Sequence, residues 1–136
     1  MKNLQSTKRQ QRRRRGSATI EFAVCLPVIV VLVFGAIECA SMIFVMQSLN
    51  VVAYEGVRTA IRPNVKTSDV NTRCDQVIQE RKLKEATFSI NPTNIADVER
   101  GEVVTIDVTA SANANSVMKL KFFSGDLSAQ ATMNKE

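Results

Sequence analysis

The sequence predicts an α+β protein in which a long N-terminal transmembrane helix continues into a small α+β head with an antiparallel sheet. Three observations carry this prediction. An apolar run begins near residue 22, a helical stripe of apolar residues follows it, and segments of alternating polarity occupy the chain after residue 85. The 136 residues, 45% of them apolar, suffice for one small domain and one appendage.

The apolar run is the predicted membrane span. Residues 22–37 form 16 positions without a charge, and the apolar character resumes after Glu38 and continues to Met46. A helix over residues 22–46 is roughly 37 Å long at about 1.5 Å per residue, which exceeds the bilayer core of about 30 Å. We therefore assign residues 17–46 to a transmembrane helix.

Positive charge is concentrated before this span. Seven of the 18 Lys and Arg residues lie in residues 1–15, which contain no acidic residue. The rest of the chain therefore holds 11 basic and all 13 acidic residues. The formal net charge is +5 for the whole chain and −2 beyond residue 15. Because basic flanks stay in the cytoplasm, we predict a cytoplasmic N-terminus, an extracytoplasmic C-terminal part and no nucleic-acid partner.

The junction between the basic segment and the span has an unusual pattern. Arg15 is followed by Gly16, the apolar stretch starts at once, and Glu21 lies five positions after the glycine. A glycine lets a protease approach the backbone closely. A carboxylate inside the bilayer costs roughly 2.5–3.5 kcal/mol unless it finds a partner. Glu21 therefore either pairs with another group or snorkels to the headgroup boundary beside the arginines.

This junction resembles the processing site that prepilin peptidases cleave in type IV pilins and pseudopilins. Residues 14–62 further resemble the TadE-like minor pseudopilins of the Tad (Flp) pilus system. The matching positions are Gly16, Glu21-Phe22, Leu26-Pro27, Phe34-Gly35, Ile37-Glu38 and Glu55-Gly56-Val57-Arg58. One feature departs from the family pattern, since no arginine closely follows Glu38.

The resemblance implies a pilin-like fold and a structural role, not an enzymatic one. It implies cleavage between Gly16 and Ser17, which would remove the leader 1–16. It also implies that Glu21 pairs with the new N-terminus of a neighbouring subunit and fixes the helix register, with Phe22 and Glu38 as further assembly residues. The implied partners are a prepilin peptidase, other minor pseudopilins and pilin subunits, the inner-membrane assembly platform and membrane lipid. The implied location is the bacterial inner membrane, with incorporation into the pilus as a further option.

Several residues within the span carry predictions of their own. Pro27 removes one backbone donor and is either a helix hinge or a tolerated membrane proline. Glu38 either contacts a neighbouring subunit or rises to the outer interface. The small residues Gly35, Ala36 and Ala40 permit close helix packing.

The helical pattern continues beyond the membrane and ends before Pro63, so residues 47–63 are the predicted extracytoplasmic continuation. Its apolar stripe consists of Leu49, Val52, Ala53, Gly56, Val57 and Ala60. The head, residues 64–136, is small for an independent core and needs this stripe. A second helix is predicted from a cap at Thr67 or Ser68 to about Leu83, with an apolar face of Val70, Cys74, Val77 and Ile78.

Three strands are predicted in the head, at residues 86–91, 102–110 and 127–133. The second has its apolar residues on one face: Val104, Ile106, Val108 and Ala110. Residues 117–123 form either a short strand or a contact surface. Cys74 is either a core residue or an intermolecular disulfide partner.

The composition excludes several kinds of chemistry. The chain has no His and three Cys, which leaves no Ser-His-Asp triad, no His-containing zinc site and no CxxC pair. No phosphate loop or nucleotide fingerprint occurs, so we expect no catalytic residue, metal or cofactor. Two other functions stay open. One is an uncleaved single-pass inner-membrane protein whose head binds a ligand or signals, and the other is a secreted domain released by signal peptidase.

Overall fold

The computed structural model describes residues 4–118 and 124–135, with side chains from residue 16 onward. The elements are α1 (Leu4–Ala60), α2 (Thr67–Glu80), β1 (Ala86–Asn91), a 3₁₀ turn (Ile95–Asp97), β2 (Val103–Ser111), α3 (Ala112–Asn115) and β3 (Asp126–Asn134). The chain forms two compact units, Met1–Ile37 and Glu38–Glu136. The predicted α+β class is confirmed, whereas most of the uncertain segment 117–123 lies outside the described residues.

The first unit contains the candidate membrane span. Every large apolar side chain from Ile20 to Ile37 is at least 41% exposed, and a helix that is apolar on all sides suits a lipid environment. Among the described residues, one helical stretch, Gly16–Ala60, is long and apolar enough to cross a membrane. Its part 16–37 alone covers roughly 33 Å, enough for a bilayer core.

The second unit is built on the C-terminal half of α1. The predicted stripe is buried there, and Val45 extends it toward the N-terminus. The other buried members of this core are Val70, Cys74, Val77, Ile95, Val98, Val104, Ile106, Val108, Ala110 and Ala129. The expectation that α1 completes a core too small by itself is confirmed.

The three strands form an antiparallel sheet in the order β1-β2-β3. Central strand β2 places Ile106 opposite Ile90 of β1 and opposite Ala131 of β3. Side chains alternate along β2, with Val104 and Val108 buried on the same side as Ile106. The predicted strands are confirmed to within one residue at each end.

The predicted cap of α2 by a hydroxyl at position 67 or 68 is wrong. The N-cap residue is Lys66, whose backbone N–H donates to Asp69 Oδ2 at 3.1 Å. Thr67 is the first helical residue, and its hydroxyl accepts from the Ile95 N–H at 3.1 Å and donates to the Thr93 carbonyl at 3.4 Å. Thr67 therefore holds the loop after β1. The carboxylate of Asp69, in the first turn of α2, accepts the hydrogen bond from the N-cap N–H instead.

Helix α2 ends at Glu80, three residues before the predicted end, in a Schellman motif. The Lys82 N–H donates to the Gln79 carbonyl at 3.0 Å, and the Leu83 N–H donates to the Ile78 carbonyl at 3.1 Å. Lys82 has a left-handed backbone with φ of 55°, at the position where glycine is usual. The Schellman motif ends α2 at Glu80, before the apolar residue Leu83 that the sequence pattern had included in the helix.

Gly56 lets α1 approach α2 and β2 closely. A Cβ atom at this residue would lie 2.6 Å from Cys74 Sγ and 2.8 Å from Ile106 Cδ1. Both side chains belong to the buried core, and a Cβ atom at residue 56 would force them to shift. Close packing within this chain thus explains why the Glu55–Arg58 motif has a glycine at position 56.

Gly56→Ala should destabilise the head by about 1–3 kcal/mol, because an added methyl group overpacks the core. Chemical unfolding of the full chain in detergent micelles measures this change. Gly35→Ala is the matched control, since a Cβ at Gly35 meets nothing within 4 Å. Adding Cys74→Ala to Gly56→Ala should restore part of the loss. An unfolding midpoint for Gly56→Ala at or above that of the unmodified chain would contradict the steric argument.

Candidate functional site

The predicted processing junction lies on the surface of α1. Gly16 is exposed, and a Cβ there would meet nothing within 4 Å. One helical turn separates Ser17 from Glu21, and Ser17 Oγ donates a hydrogen bond to Glu21 Oε1 at 3.0 Å. Phe22 is 61% exposed. Among the side chains that the structure describes, no cation pairs with Glu21, so none of them neutralises its charge.

The predicted packing and hinge residues lie further along α1. Ala36 and Ala40 are exposed and Gly35 is partly exposed, which leaves this surface accessible for contact with another helix. The helix continues through Pro27. A packing role for the small residues and a hinge role for Pro27 stay predictions.

Glu38 is fully buried, and its partners belong to the head. Ser116 Oγ donates to Glu38 Oε1, and the Met118 N–H donates to Glu38 Oε2 at 3.3 Å. A buried carboxylate is costly unless donors satisfy it, and these two donors come from the loop after α3. Glu38 therefore joins the start of the head's helix to residues 116–118, while a contact with a neighbouring subunit stays a prediction.

A second set of hydrogen bonds lies beside Glu38. Asn115 Nδ2 donates to the carbonyls of Lys84 and Ser111, both at 2.8 Å, and Asn115 Oδ1 accepts from the Lys84 N–H at 2.9 Å. Ser41 Oγ, on α1, approaches the Asn115 carbonyl at 3.5 Å, the long limit for such a bond. Asn115, the last residue of α3, thus fastens the loop after α2 to the end of β2.

The Glu55–Arg58 motif serves the interior of the head. Glu55 forms an ion pair with Arg58 at 3.9 Å, and Arg73 of α2 makes a shorter one with Glu55, at 3.1 Å. Val57 is fully buried, and Gly56 provides the close approach described above. Exposed ion pairs contribute about 0–1 kcal/mol, so the motif stabilises the head mainly by packing.

Cys74 is a core residue, which confirms the first of the two roles predicted for it. It is fully buried, and burial raises the pKa of its thiol to about 11, with the nearby Asp75 adding to the rise and Arg73 opposing it. Because the thiolate is the reactive form, this thiol is protected both by its position and by its protonation. Cys25 and Cys39 are exposed on α1.

Ser116 and Asn115 are the site residues that the sequence did not reveal. They lie 78 and 74 positions from the α1 residues they contact, and neither belongs to a recognisable motif. One signal did exist, because a carboxylate directly after an apolar run requires a donor. The sequence does not say which serine or amide supplies it.

These features define a class of protein with one long apolar N-terminal helix and a small α+β head whose core includes the second half of that helix. Such a helix is the pattern of a single-pass membrane protein. Within this class, the family model described as "TadE-like protein" matches residues 16–58. This range runs from the predicted cleavage glycine to the last residue of the Glu55–Arg58 motif.

The resemblance to the TadE-like proteins is therefore confirmed over about a third of the chain. This family suggests involvement in a Tad pilus, and its proteins are structural. No curated protein and no solved structure matches the chain. The match covers α1 from Gly16 to Arg58, and the rest of the head lies beyond it.

Glu38→Ala should loosen residues 116–118, because the Met118 N–H would lose its acceptor. The expected loss of stability is about 1–3 kcal/mol, and the Met118 amide should exchange hydrogen roughly tenfold faster or more. Hydrogen exchange of the full chain in micelles measures both. Glu38→Gln keeps one carbonyl acceptor and should show a smaller effect, while the exposed Glu80→Ala is the control. Equal exchange rates in Glu38→Ala and Glu80→Ala would rule out this contact.

Proposed function

We propose that this chain is a minor pseudopilin, a structural subunit for assembly of a Tad (Flp) type IVb pilus, matured by prepilin peptidase cleavage after Gly16. The observation that carries the proposal is the start of the TadE-like match at Gly16. This glycine separates the basic leader from an exposed apolar helix that has a carboxylate at the fifth following position.

The surface position of Gly16 suits a cleavage site. A protease needs access to the backbone, and no described atom outside the glycine's own stretch of helix lies within 4 Å of the place where a Cβ would be. The leader holds seven cations and no acid, which retains it on the cytoplasmic side. Cleavage would remove the topology signal once the helix is inserted.

Glu21 supplies the proposed register contact. Cleavage would create an α-ammonium group at Ser17, and Glu21 has no cationic partner within the side chains described from residue 16 on. Its hydrogen bond from Ser17 Oγ is too weak to replace the hydration of a carboxylate in lipid. The N-terminus of a neighbouring subunit would neutralise the carboxylate and thereby fix the axial offset between two helices.

The proposed partners follow from the same role. They are the peptidase, other minor pseudopilins and pilin subunits, and the inner-membrane assembly platform. The proposed orientation places the N-terminus in the cytoplasm and the head on the extracytoplasmic side.

Gly16→Val should abolish maturation, because a branched side chain blocks the close backbone approach of the peptidase. The chain is co-expressed with its prepilin peptidase, and mass spectrometry of the membrane fraction identifies the N-terminus. The unmodified chain should begin at Ser17 and Gly16→Val should retain the leader. Gly35→Val is the matched control and should be cleaved normally.

Two outcomes would contradict the proposal. Unmodified functional protein that retains the leader would favour an uncleaved single-pass membrane protein with a binding or signalling head. A soluble product that begins near residue 41 or later would favour a domain released by signal peptidase.

Glu21→Ala should leave membrane insertion intact and reduce pilus assembly, because it removes the proposed register contact while lowering the cost of burial in lipid. Pilus yield and co-purification of partner subunits measure the effect, and membrane fractionation measures insertion. Ser17→Ala removes only the hydroxyl group that donates to Glu21, and this variant should assemble far better than Glu21→Ala. Normal assembly by Glu21→Ala would eliminate the register contact.

A further inference from the structure

The part of α1 that builds the head has a second face, turned away from the core. Residues at alternating spacings of three and four lie on this face and are here named the outer seam: Ala40, Ile43, Gln47, Asn50 and Tyr54. All of them are exposed, with Ile43 at 59% and Tyr54 at 49%. At 3.6 residues per turn, their mean direction differs from that of the buried stripe by roughly 140°. A molecule bound to the outer seam therefore does not compete with the head's own core.

The outer seam carries no charge. Residues 39–54 form 16 consecutive positions without an acidic or basic side chain, and burial accounts for this only on the core side of the helix. Helix α2 shows what an exposed helix face of this head otherwise carries, since Asp69, Asp75 and Glu80 are all exposed there. Without charge on the outer seam, an identical surface approaches it with no like-charge repulsion.

Apolar side chains flank the outer seam. Phe44 and Met46, on either side of it, are 52% and 41% exposed. An exposed apolar patch of this kind marks an interaction site. Spacings of three and four are those of the seam along which two helices pack at a crossing angle of about 20°. The outer seam thus has the form of a surface for another α-helix.

The amides of Gln47 and Asn50 indicate which helix fits. Asn50 Nδ2 donates to the Met46 carbonyl at 3.0 Å. Among the described residues, Asn50 Oδ1 and the side chain of Gln47 have no hydrogen-bond partner. A purely apolar helix would bury these groups unsatisfied, which is unfavourable. An amide has donors and an acceptor, so an identical amide is a suitable partner.

We propose that the outer seam binds the outer seam of a second copy of this chain, in a parallel pair of α1 helices with their residues in register. Gln47 then lies beside the second copy's Gln47, and Asn50 beside its Asn50, where each amide donates to the other. The order is parallel because copies inserted with the same topology point their helices in the same direction. A polar residue at a seam position sets the register and number of helices in such pairs.

This pairing does not depend on cleavage after Gly16. The Glu21 contact proposed above involves a different neighbour, because that contact offsets the two helices along their axes.

Disulfide cross-linking of the full chain in micelles tests the pairing. The chain is expressed without a prepilin peptidase, with the exposed Cys25 and Cys39 replaced by alanine and the buried Cys74 retained. Ile43→Cys should cross-link to its own copy roughly tenfold or more faster than Gln76→Cys, because pairing raises the local concentration of facing thiols. Gln76 is an exposed residue of α2 and controls for random collision.

A mixture of two variants tests the register. Chains with Ile43→Cys are combined with affinity-tagged chains that carry Tyr54→Cys. Each variant should cross-link with its own kind and poorly with the other, because positions 43 and 54 are roughly 16 Å apart along the helix.

Asn50→Asp tests the amide contact. The change keeps the size of the side chain and brings two carboxylates together in the pair, so cross-linking at position 43 should fall roughly tenfold or more. Asn71→Asp is the matched control. It adds the same charge at an exposed residue of α2 and should leave cross-linking unchanged.

The proposal is overturned if Ile43→Cys cross-links no faster than Gln76→Cys, or if the mixed pair forms as readily as the pairs of one kind. It is also overturned if Asn50→Asp retains full cross-linking, or if Asn71→Asp loses it to the same extent. All of these measurements use the uncleaved chain, so failure here is distinct from failure of the pseudopilin assignment.

Discussion

Burial of one face of α1 is the interaction on which the head depends. The described residues after position 63 supply α2, the single turn of α3 and three strands, too little to enclose a core alone. The stripe from Val45 to Ala60 provides the missing surface, and its members Leu49, Val52 and Val57 are fully buried. Burial of a side chain of this size contributes about 1.5–3 kcal/mol. The same helix exposes apolar side chains on all sides before residue 38. Its apolar residues are therefore spread around the helix in the first part and confined to one buried face in the second.

The parts of the fold that the sequence predicted are those where local pattern and burial agree. The period of the stripe in α1 and the alternation in β2 each expose one apolar face, and both faces are buried as expected. The cap of α2 was mispredicted because Thr67 had a competing use, since its hydroxyl bonds the loop at Thr93 and Ile95. The partners of Glu38 could not be predicted, because a hydrogen bond across 78 positions depends on how the loop after α3 is placed. Local patterns carry no information on such placement.

The Glu55–Arg58 motif illustrates how a family signature relates to contacts. Its four residues belong to the TadE-like match. In the head, Gly56 makes room for Cys74 and Ile106, Val57 is buried, and Glu55 pairs with Arg73. All of these contacts lie within the head and stabilise its packing. The exposed positions of the match, among them Gly16, Glu21 and Phe22, are the ones left with no comparable internal role, which makes them the better candidates for contact with other molecules.

The composition of the core has a consequence for the timing of folding. It includes both Leu49 of α1 and Ala129 of β3, which are 80 positions apart in the sequence. Loop closure over such a separation is slow compared with formation of a local helix. During synthesis, α1 emerges first and β3 last, so the apolar stripe stays uncovered until almost the whole chain has been made. A chaperone or a neighbouring apolar helix that shields this stripe in the interval would protect the nascent subunit from aggregation.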